Sequence, residues 1–293
     1  MVSGIKSYVI LFLGVLALST SAIFVRLADA PSAVIAFYRL LLAALVLLPF
    51  LLANRNARRE LRGITRRQAG QIGMAGFLLA LHYVLWFESL RFTSTASSTV
   101  IVCLQPLFSL ALERFVQKKR IRAAAVPGCL IALLGCVLIG VGDLQISGLS
   151  LWGDVLAFIA AGVIALYYFV GESVRKEMTA LPYSAAAYLV SAGILLVYIL
   201  LLGQPLGGFG GQTWLAFAGI ALVATIGGQF IFNLLLKKLP ASAVTMGILG
   251  EPVGTCLLAW LLLGEGLRPQ QLIGIGVIMV GMVIFFLPEK RKV

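Results

Sequence analysis

Acidic and histidine side chains are scarce in this sequence. Only 11 of its 293 residues are Asp or Glu, one is His, and charged residues together make up 12% of the chain. One histidine excludes a histidine-cluster metal site, and Asp29, Asp143 and Asp154, the only aspartates, form no aspartate-rich metal site. The sequence also has no HExxH, GxSxG, GxxxxGKS or GxxxxGKT segment. Metalloprotease, serine-hydrolase and ATP-driven pump mechanisms are therefore disfavoured.

Cysteine is absent from every gap between the apolar segments. Cys103, Cys129, Cys136 and Cys256 all lie within apolar segments, so no disulfide framework is indicated. Cys129 and Cys136 are seven residues apart and share a helix face. Two thiols without histidine or carboxylate neighbours make a poor metal site. We expect the cysteines to serve packing, and we expect no cofactor and no metal.

Long apolar runs take up most of the chain. Hydrophobic residues make up 61% of it and the mean hydropathy is +1.04, whereas soluble domains are about 45–50% apolar. A transmembrane helix needs about 20 apolar residues. The sequence therefore predicts an all-α membrane protein with ten transmembrane helices and no room for a soluble catalytic domain. The predicted spans are 7–28, 32–53, 69–90, 94–115, 122–142, 151–172, 181–203, 213–236, 241–263 and 269–288.

Basic residues fall almost entirely in alternate gaps between these spans. Nineteen of the 23 Lys and Arg residues lie in one set of gaps or at the chain ends, while Arg26, Arg91 and Arg268 lie in the opposite set and Arg39 lies inside a span. Cytoplasmic loops carry the excess of Lys and Arg. We therefore predict cytoplasmic N- and C-termini in a multi-pass protein of the bacterial inner (plasma) membrane. The anionic lipid bilayer, rather than a nucleic-acid partner, then explains the net charge of +12.

The first span has a second interpretation. Lys6, the apolar run 8–18 and the small residues that follow resemble a signal peptide with a cleavage site. Cleavage would leave nine spans and an external N-terminus. We favour retention, because the internal repeat described next requires the first span.

An internal repeat becomes visible when the chain is shifted by 146 residues without gaps. The shift aligns Pro106 with Pro252 and also aligns several glycines, which mark backbone constraints. We divide the chain into five-helix repeats at 1–146 and 147–293. Because five is odd, the repeats are expected to be inverted, with the substrate site between them near the membrane midplane. The aligned glycine pairs are Gly73 with Gly219, Gly128 with Gly274, and Gly135 with Gly281.

Proline lies near the middle of the fourth and ninth spans, in Gln105-Pro106 and Glu251-Pro252. Proline removes a backbone donor and kinks or breaks a helix. The carbonyl groups that lose their partners need new ones in the protein or in a wet cavity. These kinks predict a central cavity, and packed kinks without a cavity are the alternative.

Segments of both halves resemble a known family. They are "SLRFTSTASSTVIVCLQPLFSLALERF" and "PGCLIALLGCVLIG" in the first half and "LKKLPASAVTMGILGEPVGTCLLAWLLLGEGLRPQQLIGIGVIMVGMVI" in the second. They resemble the EamA repeat of the drug/metabolite transporter superfamily. The resemblance implies ten helices, a central cavity and export of small metabolites or drugs, and YddG-like members export aromatic amino acids. These motifs identify the fold better than the substrate.

Polar side chains inside the spans are the candidate substrate contacts, because an intramembrane polar group needs a cavity or a partner. His82 could line the cavity, could carry or sense a proton, or could be a neutral histidine with one satisfied hydrogen bond. Tyr83 and Trp86 lie beside it and one turn further on. Their rings suit a planar substrate, although aromatic residues also pack between helices.

Two charged residues inside the spans, Arg39 and Glu251, are further candidates for substrate contact. Arg39 could bind a carboxylate, or it could snorkel outward or pair with Glu88 or Asp154. Glu251 could bind a proton or a substrate ammonium, or it could hydrogen-bond to the broken helix. Glutamates near span ends, including Glu113 and Glu172, are expected to be solvated or interfacial. The remaining candidate contacts are Tyr38, Ser98, Gln105, Tyr168, Gln229 and Asn233.

The sequence therefore favours a monomeric secondary transporter that exports small amphiphilic metabolites by alternating access, with aromatic amino acids as the favoured substrates. A multidrug or cationic-compound exporter of the same fold is the first alternative. An intramembrane lipid-modifying enzyme and a channel or scaffold are alternatives of other classes. The first of these is disfavoured because catalytic groups are missing, so we expect no enzymatic activity. Proton coupling and facilitated diffusion both stay open.

Overall fold

The computed structural model describes residues 2–140, 148–264 and 266–287, and within those ranges the chain is helical with no strand. The helices are α1 Val2–Ser19, α2 Ser21–Leu27, α3 Ser32–Ala53, α4 Arg55–Arg62, α5 Arg66–Ser89, α6 Thr95–Val102, α7 Gln105–Phe115, α8 Ala125–Gly140, α9 Gly148–Arg175, α10 Ala180–Leu201, α11 Gly211–Gly219, a π-helix Ile220–Phe230, α12 Ile231–Leu235, α13 Ala241–Ile248, α14 Glu251–Leu263 and α15 Pro269–Phe286.

Nine segments of the described residues are long and apolar enough to cross a membrane. A further apolar helix, α8, has 16 residues and is about 24 Å long at 1.5 Å per residue, which is less than the roughly 30 Å hydrocarbon core of a bilayer. The predicted second span, 32–53, coincides with α3. Asp143, Glu265 and the predicted repeat boundary at 146 lie outside the described residues.

The fourth and ninth spans are each broken near the middle. The fourth consists of α6 and α7, and the ninth of α13 and α14. Pro106 and Pro252 each occupy the second position of the second half-helix. At a helix start the missing proline N–H leaves no intrahelical hydrogen bond unmade. Proline therefore begins a new half-helix here instead of bending a continuous one.

The first and eighth spans are irregular where they pack against each other. A break at Thr20 separates α1 from α2, and Thr20 Oγ1 donates to the Ala17 carbonyl at 2.7 Å. The eighth span contains the π-helix, in which Thr225 Oγ1 donates to the Ile220 carbonyl at 2.9 Å. A side chain on Gly228 would come within 3.1 Å of the Gly14 carbonyl. The two backbones are therefore in close contact, and π-helical turns of this kind often occur at functional sites.

The helix contacts have an approximate symmetry under exchange of the two repeats. The third span packs on the sixth through α5 and α9, and the eighth packs on the first through the π-helix and α1. The second span packs on the seventh through α3 and α10, and the fifth packs on the tenth through α8 and α15. Under the 146-residue shift the first two contacts exchange with each other, and each of the other two maps onto itself. The repeat seen in the sequence is therefore also a repeat of packing.

Glycines bring α8 and α15 into direct backbone contact. A Cβ on Gly128 would lie 2.8 Å from the Gly281 carbonyl oxygen, and a Cβ on Gly281 would lie 2.6 Å from that of Gly128. The corresponding distances between Gly135 and Gly274 are 2.6 and 2.7 Å. The lower-numbered glycine of α8 faces the higher-numbered glycine of α15, so the helices run antiparallel. Since the shift exchanges the two contacts, the crossing has local two-fold symmetry.

Candidate functional site

A buried arginine lies at the contact between the second and eighth spans. Arg39 leaves 5% of its surface exposed. Its Nε donates to Thr225 Oγ1 of the π-helix at 3.1 Å, and its guanidinium lies 5.1 Å from the centre of the Tyr83 ring. Its Nη2 is buried and has no hydrogen-bond partner among the described residues. A buried charged donor without a partner is costly, so this atom is available to a ligand.

Glu251 lies at the break of the ninth span, where α14 begins. Its side chain is partly accessible although it lies near the middle of the segment Ala241–Leu262. Its charge interacts with that of Arg39. The two described side chains nevertheless form no ion pair within 4 Å. An acidic and a basic group thus approach each other without direct contact, and Gln105, the repeat counterpart of Glu251, is buried at the start of α7.

Tyr83 and Gln229 meet where the two repeats come together. The Tyr83 hydroxyl donates to Gln229 Oε1 at 3.3 Å, and these residues are 146 positions apart. Residues equivalent under the repeat can touch each other only close to the symmetry axis that relates them. Tyr168, from the sixth span, lies within electrostatic range of both Arg39 and Glu251. Tyr83 and Gln229 therefore lie close to that axis, and we group them with their neighbours Arg39, Tyr168 and Glu251 as the central cluster.

His82 and Trp86 lie on α5, on the side that packs against α9. The His82 Nδ1 is 3.0 Å from the Ala160 carbonyl oxygen. The Trp86 ring is nearly parallel to the imidazole, with the two ring centres 6.2 Å apart. Trp86 Nε1 is buried and has no hydrogen-bond partner among the described residues. His82 thus has one satisfied hydrogen bond, and Trp86 retains an unused donor.

Tyr38 lies apart from the central cluster. Its ring stacks on Phe217 with the ring centres 4.8 Å apart and meets Trp214 edge to face at 5.0 Å. Its hydroxyl donates to the Leu206 carbonyl. Tyr38 therefore connects the second span to the loop between α10 and α11 and to α11 itself, although it directly precedes Arg39 in the chain.

Asn233 is the centre of a second polar cluster. Its Nδ2 donates to Tyr167 Oη at 2.8 Å and to Ser184 Oγ at 3.0 Å, and its backbone carbonyl accepts from Arg175 Nε at 2.9 Å. Arg175 also donates to the Met178 carbonyl. These bonds join the sixth, seventh and eighth spans. Sequence reasoning did not find the roles of Ser184 and Arg175, because only the fold brings them close to Asn233.

Ser98 makes a contact between neighbouring spans. Its Oγ lies 2.6 Å from Ser89 Oγ, and Ser89 Oγ in turn donates to the Trp86 carbonyl at 2.6 Å. The first half-helix of the fourth span, α6, is thereby joined to the end of α5. The hydrogen bonds made by the Ser98 and Ser89 hydroxyl groups stabilise this contact.

The solvation expected for Glu113 and Glu172 is wrong. Glu113 and Glu172 are buried, with 6% and 4% exposed, and they accept from the Ser242 and Ala241 amides at 2.8 and 2.9 Å. Exposed amides at a helix start attract carboxylates, so these residues cap α13 instead of facing solvent.

The two carboxylates named as alternative partners of Arg39 bind other groups. Glu88 accepts from the Tyr198 hydroxyl at 2.7 Å and pairs with Arg91 at 2.9 Å. Asp154 accepts from the hydroxyl groups of Thr93 and Ser97 at 2.8 and 2.9 Å.

The EamA-like transporter family matches this chain twice, over residues 5–141 and 151–287. Transporter YwfM of Bacillus subtilis (strain 168), itself uncharacterised, is 31% identical over 223 residues, which are 75% of this chain and 74% of that protein. An uncharacterised transporter of Archaeoglobus fulgidus is 22% identical over 98% of both chains. A solved crystal structure shares the fold, with a TM-score of 0.80, 18% identity and 96% of each chain covered.

These matches fit the apolar helices and the two repeats. The family model covers both repeats and nearly the whole chain. The relatives named above are themselves transporters. This chain belongs to the EamA-like transporter family and is a multi-pass membrane transporter.

Proposed function

We propose that this protein is a secondary transporter of the inner membrane that exports small zwitterionic metabolites, with aromatic amino acids as the favoured substrates. The observation that carries the proposal is the unpaired Nη2 of the buried Arg39. A guanidinium offers a planar fork of donors that matches a carboxylate. Glu251 lies across from it and would accept the substrate ammonium.

The pairing of one cation with one anion favours a zwitterion over a cationic drug. A cation at this site would bind Glu251 but would leave the buried Nη2 of Arg39 without a partner. A carboxylate alone would leave Glu251 without an ion-pair partner. A substrate carrying both charges gives each group a partner of opposite charge.

Aromatic side chains around the cluster support an aromatic substrate. Tyr83 and Tyr168 contribute rings from two spans, and Trp86 contributes a ring with an unused donor. Rings of this kind bury a large apolar area and prefer offset or edge-to-face contact with another ring. The remaining surface of the site is therefore suited to a planar side chain. The contacts that we assign to the substrate are Arg39, Tyr83, Trp86, Tyr168 and Glu251.

Transport would occur by movement of the two repeats around this site. The antiparallel crossing of α8 and α15 supports repeats of opposite orientation, and ten spans with cytoplasmic termini agree with the distribution of basic residues. The breaks at Gln105 and Glu251 would allow each half-helix to move separately. We propose a monomer with a central cavity between the repeats. Glu251 is also the residue that would take up a proton if transport is proton-coupled.

The test uses three related ligands and the purified full chain. Phenylalanine carries both charges, phenethylamine lacks the carboxylate, and 3-phenylpropionate lacks the ammonium. Thermal stabilisation should follow affinity, since a ligand at 100 times its dissociation constant stabilises by about 2.7 kcal/mol. Phenylalanine should stabilise the wild-type protein most. Losing one charge-assisted hydrogen bond of about 1.5–3 kcal/mol should weaken each analogue roughly 10- to 100-fold.

Two variants assign each charge to its partner. Arg39→Gln should bind phenylalanine and phenethylamine equally, and Glu251→Gln should bind phenylalanine and 3-phenylpropionate equally. Arg91→Gln, which removes an arginine at an exposed position, is the matched control and should preserve the wild-type order. Phenethylamine binding the wild-type protein as tightly as phenylalanine would contradict the zwitterion site and favour a cation exporter. Efflux of phenylalanine from proteoliposomes should fall in the same two variants.

A further inference from the structure

A pocket lies at one end of the bundle, where the cations of three loops converge. It has a volume of about 390 Å³, within the range of small-molecule sites. The ends of α7, α9, α12 and α15 and the starts of α8 and α13 surround it. Both repeats therefore contribute to its walls. We call it the basic pocket.

The charges that line the basic pocket are strongly unbalanced. Its two acidic residues, Glu113 and Glu172, are already engaged by backbone amides at the start of α13, and Glu172 also binds Lys119 at 2.9 Å. Six cations face these two anions. They are Lys119, Arg120, Arg122, Lys176, Lys237 and Lys238.

Among residues 2–140, 148–264 and 266–287, only Lys119 of the six cations has an ion-pair partner. Of the other five, four are exposed, namely Arg120, Lys176, Lys237 and Lys238. Arg122 is held in place because its two terminal nitrogens donate to the Phe285 and Leu287 carbonyls at 2.9 and 3.3 Å. The pocket thus combines one fixed guanidinium with four uncompensated charges. Such concentrated positive charge attracts an anion strongly.

The floor of the basic pocket is apolar and its surroundings face lipid. Leu110, Leu236 and Phe285 line the floor. At the same end of the bundle, Phe115 and Val116 leave 78% and 61% of their surfaces exposed at the end of α7. Large apolar side chains exposed at a span end are expected to contact the bilayer. The pocket therefore lies where polar headgroups meet acyl chains.

We propose that the basic pocket binds a phosphate group and that its occupant is the headgroup of an anionic phospholipid. The phosphate lies among Arg120, Lys237 and Lys238, and the start of an acyl chain lies on the apolar floor. Because Arg120 comes from the first repeat and the two lysines come from the second, the lipid connects the repeats at this end. This site is separate from the central cluster and does not depend on the transported substrate.

The experiment compares the full chain in nanodiscs of phosphatidylcholine alone and of phosphatidylcholine with phosphatidylglycerol. The pocket variant is Arg120→Gln, Lys237→Gln and Lys238→Gln combined. The matched control, Arg62→Gln, Arg66→Gln and Arg67→Gln, removes the same charge from exposed positions outside the pocket. Thermal unfolding and retention of lipid in native mass spectrometry are measured for each protein.

Phosphatidylglycerol should raise the unfolding temperature of the wild-type and control proteins, but not that of the pocket variant. Each basic residue strengthens binding of an anionic lipid by about fivefold, so the pocket variant should retain the lipid on the order of 100-fold more weakly. Equal losses in the control would show that the attraction is a general surface effect and would overturn the proposal. Inorganic phosphate is also added to the proteins in phosphatidylcholine nanodiscs. If it raised the unfolding temperature of the wild-type protein as much as phosphatidylglycerol does, but did not raise that of the pocket variant, the occupant would be a soluble phosphate compound. That result would overturn the lipid assignment.

Discussion

The two broken spans have the same construction but differ at the position that matters for chemistry. Each begins with an eight-residue half-helix, Thr95–Val102 or Ala241–Ile248, and each resumes with a proline at the second position. Acidic side chains from other spans bind near both starts. At the break itself, however, one span has the buried amide of Gln105 and the other has the partly accessible carboxylate of Glu251. The repeat thus preserves the shape of the break, while the carboxylate is found only in the second repeat.

This difference explains why the central cluster is asymmetric although the scaffold is symmetric. Arg39 donates a hydrogen bond to Thr225 of the second repeat. Its charge also interacts with that of Glu251, which likewise belongs to the second repeat. The first repeat contributes the arginine itself and Tyr83. A symmetric site would offer the substrate two identical ends. An asymmetric site can hold a molecule with unlike ends in one orientation.

Exchanging the two residues should break this asymmetry and have the largest effect. The double variant Gln105→Glu, Glu251→Gln moves the carboxylate to the first repeat, away from its position opposite Arg39. Export of phenylalanine from proteoliposomes should fall by roughly 100-fold, as expected from the loss of a charge-assisted interaction of up to about 3 kcal/mol. Export at the wild-type rate would show that either break can supply the charge and that the site is functionally symmetric.

Substitutions at the crossing of α8 and α15 test whether the two repeats are equivalent in packing. Gly135→Ala and Gly281→Ala each place a Cβ against a carbonyl of the partner helix, so each should destabilise the protein by about 1–3 kcal/mol. Because the shift relates these positions, the two losses should agree closely. Gly276→Ala, on α15 with nothing within 4 Å of the added carbon, is the control and should stabilise the helix by up to about 1 kcal/mol. Chemical unfolding in detergent measures all three, and clearly unequal losses would argue against local two-fold symmetry.

The acidic residues that bind near the starts of the two first half-helices should contribute unequally to stability. Glu172→Gln removes a charge that binds both the α13 start and Lys119, so it should cost about 1–2 kcal/mol. Asp154→Asn removes a charge that binds only the hydroxyl groups of Thr93 and Ser97 in the described residues, and about 0.5–1 kcal/mol is expected. Hydrogen exchange at the amides of α13 and α6 reports each loss locally. A larger effect at Asp154 would reverse the comparison.

The smallest effect is expected at a contact that only the first repeat has. Arg91 pairs with Glu88 at 2.9 Å, and its side chain is 67% exposed. Exposed ion pairs contribute little because water and salt screen them. Arg91→Gln should therefore change the free energy of unfolding by less than about 0.5 kcal/mol. A loss above 1 kcal/mol in chemical unfolding would mean that this loop is coupled to the spans beneath it.

The fold could be predicted further than the site could. Apolar length predicted the spans, and α3 coincides with its predicted span, because hydrocarbon imposes both helix and length. The sequence did not indicate the π-helix, which packs against α1. The residue types at the site were visible as polar groups inside apolar runs. Their partners were not, because Arg39 and Thr225 are 186 positions apart.

Side-chain direction limited the prediction in the same way. Tyr38 and Arg39 are neighbours in the chain, yet one lies in an aromatic contact with α11 and the other in the central cluster. Glu113 and Glu172 lie near span ends, where solvation is the simplest expectation. Only the fold brings the start of α13 between them. Sequence patterns specify which groups need a partner, and tertiary structure decides which partner each group obtains.

The crossing of α8 and α15 has a consequence for the origin of the molecule. Each side of that contact offers the other the same glycines, so its surface fits an upside-down copy of itself. A gene for one repeat would have sufficed if its product entered the bilayer in both directions and paired. Joining two such copies in one chain would leave each half free to differ, as the glutamine at one break and the glutamate at the other do.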